Sequence, residues 1–538
     1  MRKTSFSILL LLVALSSSAP GQAETAPPAR PPVKVFGRVF ADTNTNGKPD
    51  PGEPGLPGVQ VTDGLGIVVS DAEGKYELTV GDDPVLPLRA TQTVSLSWPS
   101  NYWPTTAWWR RLNEFPTGGQ IDFGLRPDEQ KLPITILHAT DPHNSMMGEF
   151  QRIWRDEVAA MGRGVNLAFI TGDLGYAGVE SGDADLSRVR DYSAKFPVPM
   201  FHAVGNHDIV AGHSADWGST EIHGFGAYIK NLGPIRWSFN YAGIHFVGLE
   251  WAGRKGVELA NSIIEETSIK WLEDDLARVK KPARIYLFMH NGHDVNNRLF
   301  PLLVRNKVEL FLAGHSHRNV DDVIDGVPYV MTMNFAGAYK MANITDDGYQ
   351  FVHRCIGCKN PGRRHRPFSP SYPNTGGCRV AIPDLELRRE AHATLADRDV
   401  DNAEVPVAGA KSQRLEVDIR VEPGSAKSWG LRIGPDDKGR SVELIATANT
   451  LRCGNVATDP AREPNEKNDR LHLALDEEGL TVWANEHARF DVRYIASSPV
   501  SVTLLAREGS AKFTQVDVWE LKPGESFRKY KEKPKNRD

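Results

Sequence analysis

The chain has 538 residues, of which 40% are hydrophobic, 9% aromatic and 24% charged. These values are ordinary for folded globular proteins, and they exclude the disordered, collagen-like and membrane-embedded classes. A chain this long exceeds what one hydrophobic core can serve, so we expect several domains. The net charge of −5 disfavours broad electrostatic binding to nucleic acid or to anionic lipid. Any anionic substrate must therefore be bound at a local site.

Residues 1–23 have the layout of a secretory signal peptide. Arg2 and Lys3 precede an apolar run over residues 8–15, and small and polar residues follow as far as Ala23. This run is too short to cross a hydrocarbon layer of about 30 Å. We therefore expect a secreted or periplasmic protein without a membrane span, with an uncleaved N-terminal anchor as the alternative.

The spacing of apolar segments predicts three folded domains after the signal peptide. Short β-type runs separated by Gly, Pro and Asp indicate a β module over residues 33–126. Apolar strands alternating with helical stretches, such as 149–161 and 268–280, indicate a layered α/β domain over residues 131–350. Short β-type runs occur again over residues 384–521, which indicates a second β module. The predicted fold class is thus α/β, a central layered β-sandwich flanked by helices, with β-sandwich modules on both sides.

Five polar clusters follow apolar strands of the central domain, each at the point where its strand ends. They are Asp-Pro-His at 141–143, Gly-Asp at 172–173, Gly-Asn-His-Asp at 205–208, His at 290 and Gly-His-Ser-His at 314–317. In layered α/β domains ligands bind outside the carboxyl ends of the strands, so the clusters should share one rim. They supply imidazoles, carboxylates and an amide but no thiolate, which suits two borderline transition-metal cations.

Each cluster alone can be explained by a structural role, because a strand-end Asp usually forms a turn and a lone His is usually structural. All five in this order resemble the calcineurin-like metallophosphoesterase superfamily over residues 132–317. The resemblance implies a first metal held by Asp141, His143, Asp173 and His317. It implies a second metal held by Asp173, Asn206, His290 and His315, so that Asp173 bridges the two.

The same resemblance implies a reaction, the hydrolysis of a phosphate mono- or diester by a dimetal-bridged hydroxide. His207 would be the general acid, and Asp208 would orient its ring. The cofactors would be two divalent or trivalent ions of Fe, Mn, Zn or Ni. The alternative is a non-catalytic protein that binds envelope polysaccharide and whose central domain is a metal-stabilised scaffold.

Several residues near the clusters have more than one candidate role. Residues 172–176 also resemble the GDxxY block of purple acid phosphatases, but this chain has His143 where that family has Gly. We therefore expect Tyr176 to pack or hydrogen-bond at the pocket edge and not to bind iron. Four residues are candidate substrate contacts, with packing or solvent-facing roles as the alternative: His213, Trp251, Asn291 and His293.

A calcium-loop spacing lies in the N-terminal module, which resembles the prealbumin-like module that precedes the catalytic domain in some bacterial phosphoesterases. The oxygen-bearing positions of the loop are Asp42, Asn44, Asn46, Asp50 and Glu53. Gly47 occupies the sixth position. The flanking segments are strands, which disfavours an EF-hand helix pair. We expect structural calcium here, with an ion-free Asn/Gly-rich turn as the alternative.

The remaining features lie outside the clusters. Aromatic residues at 98–109 predict interdomain packing, with a sugar platform as the alternative. The C-terminal module loosely resembles the non-catalytic β-sandwich of fructan- and sucrose-cleaving glycosidases. We expect it to pack on the catalytic domain, with carbohydrate contact as the alternative.

Export favours two disulfides among the four cysteines, with a zinc site or free thiols as the alternatives. These cysteines are Cys355, Cys358, Cys378 and Cys453. The Gly/Pro/Arg-rich residues 359–377 form a predicted loop that could cover the pocket as a lid.

Overall fold

The computed structural model describes a large part of the chain in separate ranges. These are 31–83, 86, 91–143, 165–175, 182–209, 224–255, 258–261, 264–280, 283–292, 298–317, 320–332, 338–355, 391–454, 456–458, 468–477, 479–485, 488–492 and 494–522. The predicted signal peptide, the predicted helix over 149–161 and the predicted loop over 359–377 lie outside these ranges. No helix within the described ranges has the length and apolar character that a membrane crossing requires.

The N-terminal module consists of short strands. They are β1 (Val33–Ala41), β2 (Gln60–Thr62), β3 (Ile67–Val69), β4 (Lys75–Val80), β5 (Thr93–Ser97), β6 (Tyr102–Pro104), β7 (Trp109–Arg111), β8 (Gly119–Gln120) and β9 (Phe123–Pro127). One sheet has the order β4-β1-β9-β6 with β8 beside β1, and the other has the order β3-β2-β5-β7. A single 3₁₀ turn, Leu112–Glu114, is described in this module.

The central region combines strands with a few helices. Its strands are β10 (Ile134–Ala139), β11 (Leu167–Thr171), β12 (Met200–Ala203), β13 (Trp237–Tyr241), β14 (Ile244–Gly248), β15 (Ala252–Lys255), β16 (Glu258–Asn261), β17 (Arg284–Phe288), β18 (Leu310–Ala313), β19 (Val320–Ile324), β20 (Val327–Met331), β21 (Ala338–Thr345) and β22 (Gly348–Cys355). Its described α-helices are α1 (Gly182–Lys195), α2 (Gly226–Leu232), α3 (Glu266–Arg278) and α4 (Leu299–Arg305).

The C-terminal region is β-rich throughout its described part. Its strands are β23 (Ala393–Asp401), β24 (Glu404–Ser412), β25 (Leu415–Glu422), β26 (Ser428–Ile433), β27 (Val442–Thr447), β28 (Leu451–Cys453), β29 (Val456–Thr458), β30 (Asp469–Asp476), β31 (Gly479–Ala484), β32 (Ala488–Val492), β33 (Val500–Arg507) and β34 (Ser510–Glu520).

Two sheets face each other in the central region. In the first, β10, β11 and β12 are parallel neighbours. In the second, with the order β13-β14-β17-β18-β20-β19, strands β14, β17 and β18 are parallel neighbours. The strands β10 and β11 are buried along their whole length, as expected for predominantly apolar strands inside a layered sheet. The fold is thus built of mixed sheets with few helices.

An aromatic core fills the space between these sheets. The rings of Phe169 on β11 and Phe288 on β17 stack with centroids 4.0 Å apart. Helix α3 covers the other face of the second sheet, where Ile269, Leu272 and Leu276 recur at helical spacing in one buried cluster. The predicted helix over 268–280 is confirmed with a two-residue shift, and Pro282 follows its end in the sequence.

The N-terminal module docks on the central region through side chains. Trp98 is fully buried and stacks on Phe239 of β13 at a centroid separation of 4.6 Å. Trp98 also contacts Trp103 and Trp108 edge-on. This confirms the prediction of interdomain packing for this aromatic cluster, because a ring buried in a domain interface cannot serve as an exposed sugar platform.

The C-terminal region continues the first central sheet. Strand β22 pairs with β21 on one side and with β32 on the other, in antiparallel register with Val352 opposite Phe490. The result is one sheet of 11 described strands with the order β12-β11-β10-β21-β22-β32-β31-β30-β25-β34-β23. A second sheet, β24-β33-β26-β27-β28-β29, belongs to the C-terminal region alone.

The expectation of two disulfides is wrong as regards Cys453, which is a buried free thiol. Burial raises its pKa to about 12, so the thiol stays protonated. It lies in the apolar core that the C-terminal sheets share. The side chains of the other three cysteines lie outside the described residues.

Candidate metal centre

The predicted ligands follow the carboxyl ends of five strands. Asp141 comes after β10, Asp173 after β11, Asn206 after β12, His290 after β17 and His315 after β18. The first three strands belong to one sheet and the last two to the facing sheet. Because parallel strands present their carboxyl ends at one edge, both sheets deliver these side chains to the same rim.

One group of potential ligands consists of Asp173, His290 and His315, whose ligand atoms all lie within 4.8 Å of one another. The Nε2 atom of His290 lies 3.1 Å from Asn206 Oδ1, 3.2 Å from His315 Nδ1 and 3.3 Å from Asp173 Oδ1. Bonds of about 2.1 Å from one cation to N and O ligands place neighbouring ligand atoms about 3.0 to 3.4 Å apart. The spacing of this group therefore fits a transition-metal ion.

The tautomer of His290 also fits this interpretation. Its Nδ1 lies 2.6 Å from the carbonyl oxygen of Thr171, which can only accept, so Nδ1 carries the hydrogen. A backbone carbonyl that fixes one ring nitrogen in this way is the usual support of a metal-binding imidazole. Nε2 is then the atom that faces the other ligands.

A second group consists of Asp141, His143 and His317, with ligand atoms again within 4.8 Å of one another. His317 Nε2 lies 3.0 Å from Asp141 Oδ1. The other oxygen of Asp141 accepts hydrogen bonds from the hydroxyl of Thr140 at 2.6 Å and from the N–H of His315 at 3.0 Å. Oδ1 is thereby left for the pocket.

Backbone hydrogen bonds connect the loops that carry the two groups. The N–H of Asp141 donates to the carbonyl of Gly172, and the N–H of His143 donates to the carbonyl of Asp173, both at 3.0 Å. The N–H of His207 donates to Asp173 Oδ1 at 2.8 Å. The loops after β10, β11 and β12 therefore support one another directly.

Five of the seven predicted ligands have a left-handed backbone, which non-glycine residues rarely adopt. Their φ angles are 53° for Asp141, 45° for His143, 53° for Asp173, 73° for His315 and 52° for His317. Each such residue costs about 1 to 3 kcal/mol, and such strain concentrates at functional sites. The surrounding loops must therefore stabilise conformations that the chain would otherwise avoid.

Glycines allow these loops to approach closely. A Cβ on Gly205 would lie 2.2 Å from the backbone nitrogen of Asp173, and one on Gly314 would lie 1.8 Å from the Thr140 hydroxyl oxygen. No side chain fits at either position without moving the backbone that carries a ligand. The glycines of the third and fifth clusters thus have a packing role beside the ligands.

The charges of the pocket favour a cation. Burial alone would lower the pKa of His290, but the charge and hydrogen bond of Asp173 raise it to about 9. Burial alone would raise the pKa of Asp173, and His290 holds it well below its usual range. The hydrogen bond to Asp141 likewise raises the pKa of His317. The nearly fully buried carboxylates therefore require a positive partner, either a proton or a metal ion.

The structure places His207 at the mouth of this pocket. Its side chain is 42% exposed, and its Nε2 lies 3.9 Å from Asp173 Oδ2. Its ring lies 5.1 Å from that of His143. The position is thus adjacent to both groups of ligands yet open to solvent.

Asp208 has other partners than the predicted one. Its carboxylate is buried and accepts hydrogen bonds from the backbone N–H groups of Leu174, Gly175 and Gly205 at 2.7 to 3.0 Å. These three bonds occupy both oxygens and tie the loop after β11 to the loop after β12. That Asp208 orients the His207 ring stays a prediction. Burial raises its pKa to about 7.

The candidate substrate contacts are only partly described. Trp251 is 2% exposed and Asn291 is 3% exposed, so both are buried beside the ligands. The hydroxyl of Tyr329 donates to Asn291 Oδ1 at 3.3 Å. This burial excludes the solvent-facing role for Trp251 and Asn291. His213, His293 and Tyr176 lie outside the described residues.

Sequence reasoning missed Thr140 and Thr171. The hydroxyl of Thr140 donates to Asp141 Oδ2, and the carbonyl of Thr171 accepts from His290. A Thr immediately before each of the two strand-end acidic clusters was the only available signal. This signal did not reveal which atom forms the hydrogen bond, because Thr171 accepts through its backbone carbonyl and not through its hydroxyl.

The predicted calcium loop is folded around its acidic residues. The carboxylate of Asp42 is buried and accepts hydrogen bonds from the N–H groups of Asn46 at 3.1 Å and Gly47 at 2.8 Å. Glu53 accepts from the N–H of Thr43 at 2.8 Å. The side-chain amides of Asn44 and Asn46 donate to Asp50 at 2.8 and 2.7 Å and lower the pKa of that carboxyl. All five predicted ligands thus lie in one loop.

Comparisons with solved structures give low similarity. The chain resembles GAP50, the anchor in the inner membrane complex of Plasmodium, at 12% identity over 42% of this chain and 85% of that one, with a TM-score of 0.30. It resembles purple acid phosphatase PPD1 from yellow lupin (Lupinus luteus) seeds at 13% identity over 56% and 67%, with a TM-score of 0.30. A putative 5'-nucleotidase from Staphylococcus aureus gives 11% identity over 41% and 54%, with a TM-score of 0.28.

The family comparison covers the strands that carry the site. No curated protein matches the sequence. Residues 134–319 match the family model described as calcineurin-like phosphoesterase, a span that begins at β10 and ends just beyond His317. This span contains all seven predicted ligands. Residues 134–319 are therefore similar to the calcineurin-like phosphoesterase family.

Proposed function

We propose that the chain is an exported phosphoesterase that binds two transition-metal ions and hydrolyses a phosphate mono- or diester. The observation that carries the proposal is the convergence of two groups of N and O ligand atoms at one rim, inside the span of the family match. The half-exposed imidazole of His207 lies beside these ligands. It disfavours the alternative of a polysaccharide-binding scaffold, because such a scaffold does not need an imidazole at this position.

Asp141, His143 and His317 would hold one ion, and Asn206, His290 and His315 would hold the other. Asp173 belongs to the second group by its distances and would also reach the first. Ions of Fe, Mn, Zn or Ni suit these ligands. When bound, such a pair supplies Lewis acidity toward the phosphate ester and toward water. The chain holds the ligands in position through Thr140, the Thr171 carbonyl and the glycines of the loops.

His207 would protonate the leaving alkoxide oxygen. Its half-exposed ring can meet a leaving group that projects toward solvent, and the bond from its N–H to Asp173 fixes its backbone. A positioned general acid contributes about 10² to 10⁴ in rate, and mainly for poor leaving groups. We expect His207→Ala to keep its metal ions and to lose about that factor on an alkyl phosphate, but far less on para-nitrophenyl phosphate.

The experiment that tests the function is hydrolysis by protein reconstituted with each of the four metals. Para-nitrophenyl phosphate and its bis ester separate mono- from diesterase activity. The wild-type chain should hydrolyse one of them, and Asp173→Ala should not. His392→Ala, which alters an exposed imidazole in the C-terminal region, should retain the wild-type rate. Failure of the wild-type chain with all four metals and both esters would contradict the proposal.

The loop at residues 42–53 would bind structural calcium. Its support is the buried Asp42 carboxylate together with the half-buried carboxylate of Asp50, whose lowered pKa keeps it ionised at neutral pH. Calcium should raise the melting temperature of the wild-type protein, and Asp50→Ala should abolish the increase. An identical increase in Asp50→Ala would contradict a site in this loop.

Export would follow from the predicted signal peptide and would place the enzyme in the periplasm or outside the cell. N-terminal sequencing of the mature protein should find a start near Glu24. An intact Met1 on protein from the soluble cell interior would contradict export. Carbohydrate contact by the C-terminal module stays a prediction, which a polysaccharide pull-down with the full chain can test.

A further inference from the structure

Trp251 lies directly against the second group of ligands. Its ring centroid is 4.5 Å from that of His315 and 5.5 Å from that of His290. The side chain is 2% exposed. Among the ring contacts of the described residues, Trp251 has none with His143 or His317. Its position therefore associates it with one of the two proposed metal ions.

The indole N–H of Trp251 is buried and has no hydrogen-bond acceptor among the described residues. Other buried tryptophans of the central region do have one, since Trp237 donates to the carbonyl of His202 at 2.8 Å and Trp271 donates to the Thr62 hydroxyl at 2.9 Å. Buried Trp N–H groups usually find an acceptor, because leaving one unpaired costs free energy. Trp98 is a second exception, but it lies among aromatic rings whose faces can accept.

The chemistry of the N–H restricts what could satisfy it. The group is a donor only, so it cannot bind a cation. Its imidazole neighbours are assigned to metal ions and direct their lone pairs to them. The described residues supply no acceptor, so an oxygen that enters the pocket with a ligand is the candidate acceptor, and a phosphoryl group is the oxygen-rich anion that two metal ions would attract.

We infer that Trp251 donates its indole N–H to an oxygen of the phosphoryl group bound beside His290 and His315, an inference that rests on the proposed function. Trp251 would then be a substrate-binding residue that orients the phosphoryl group. It would bind inorganic phosphate, the product of a monoesterase, in the same way.

The backbone around Trp251 is held in place, as this role requires. The preceding residue, Glu250, is fully buried and accepts a hydrogen bond from Arg236 Nε at 2.9 Å and another from the Ser268 hydroxyl. The N–H of Leu249 donates to the carbonyl of Phe288 at 3.0 Å. An indole supported in this way is already positioned before the ligand binds, which reduces the entropy lost on binding.

The test compares Trp251→Phe with Trp271→Phe in metal-loaded protein. Both variants keep an aromatic ring and lose one indole N–H, but the N–H of Trp271 is bonded to Thr62 in the N-terminal module. Isothermal titration with inorganic phosphate measures the dissociation constant, and elemental analysis measures the bound metal. We expect Trp251→Phe to keep the wild-type metal content and to bind phosphate about tenfold more weakly. Trp271→Phe should match the wild type in both measurements.

The inference is overturned if Trp251→Phe binds phosphate as tightly as the wild-type protein, since the N–H would then face a water molecule or nothing. It is also overturned if Trp251→Phe loses metal, because the ring would then act by supporting His315. A wild-type protein that binds no metal would contradict the proposed function itself, which is a different result from either of these.

Discussion

The N-terminal and C-terminal modules are attached to the central domain in different ways. The N-terminal sheets contain only strands β1 to β9, so this module meets the central domain through side chains and isolated hydrogen bonds. The C-terminal region shares backbone hydrogen bonds with it, because β22 and β32 are neighbours in one sheet. One attachment is a docked surface, and the other is a continuous sheet.

The side-chain attachment combines apolar and charged contacts. Trp98 stacks on Phe239, and the buried guanidinium of Arg236 binds Asp83 at 2.7 Å and Glu250 at 2.9 Å. The shared sheet is accompanied by a shared core, in which Leu137 of β10 and Val482 of β31 belong to one buried cluster. The N-terminal module also shares a buried apolar cluster with the central domain, which includes Val39 and Phe169, but among the described strands it shares no sheet with it. We therefore expect the C-terminal region to unfold together with the central domain, and the N-terminal module to separate more readily.

Breaking the shared sheet should have the largest effect. Val352 is fully buried and lies between Met341 and Phe490 in neighbouring strands. Proline there removes a ladder donor, and proline is otherwise confined to edge strands and bulges. The loss should be a large fraction of a typical folding free energy of about 5 to 15 kcal/mol. Val352→Pro should therefore destabilise both regions together, as measured by hydrogen exchange with mass spectrometry.

The matched control is Val69→Pro in β3, an edge strand of the N-terminal module, where the side chain is 47% exposed. Its effect should be much smaller and confined to that module. Protection lost in the C-terminal strands of Val352→Pro, with the central strands still protected, would show that the shared sheet does not couple the two regions.

Removing one partner of the buried ion pair should have the next largest effect. Both side chains of the Asp83–Arg236 pair are 1% exposed. Asp83→Ala leaves the guanidinium with one carboxylate, Glu250, and the carbonyl of Gly64, and breaking such a buried pair costs about 3 kcal/mol. Urea denaturation should show this loss, and limited proteolysis should release the N-terminal module. A loss below about 1 kcal/mol would indicate that the other contacts of the module hold it without this ion pair.

Acid should weaken the central sheet by a smaller, graded amount. Burial lowers the pKa of both His138 and His202 from 6.5 to about 3. Below pH 6.5 the unfolded chain binds protons that these residues cannot accept when folded, so stability falls as the pH falls from 6.5 toward 3. The slope should approach about 1.4 kcal/mol per pH unit for each residue.

The variant His202→Gln should lose about half of the pH dependence of the unfolding free energy that the two histidines cause. Urea denaturation between pH 7 and pH 4.5 measures this dependence, because it covers the range in which the unfolded His202 is protonated and the folded one is not. An unchanged slope would mean that His202 titrates equally in both states.

The smallest effect should come from an exposed ion pair of the N-terminal module. Lys34 and Glu77 form a bridge at 2.6 Å with side chains 66% and 59% exposed. Water screens such a pair, so Glu77→Ala should change the free energy of unfolding by less than about 1 kcal/mol. A loss as large as that of Asp83→Ala would show that burial does not distinguish the two pairs.

The sequence predicted the strand-end clusters because ligand chemistry and strand periodicity are both local. It could not predict the pairing of β22 with β32, since Val352 and Phe490 are far apart in the chain and nothing local records their register. The sequence did not reveal the backbone amide partners of Asp208 for a similar reason. Adjacency to His207 suggested a contact, whereas the 3₁₀ turn Asn206–Asp208 directs the carboxylate to backbone amides of another loop.

The central claim is that seven side chains hold two metal ions, and metal stoichiometry tests it most directly. Elemental analysis of wild-type protein, dialysed after loading with Mn, Fe, Zn or Ni, should find about two ions per chain with one of these metals. Asp173→Ala should retain fewer than one, and Asp191→Ala, which alters an exposed carboxylate on α1, should retain two. Less than one ion in the wild-type chain with every metal, or an unchanged content in Asp173→Ala, would contradict the claim.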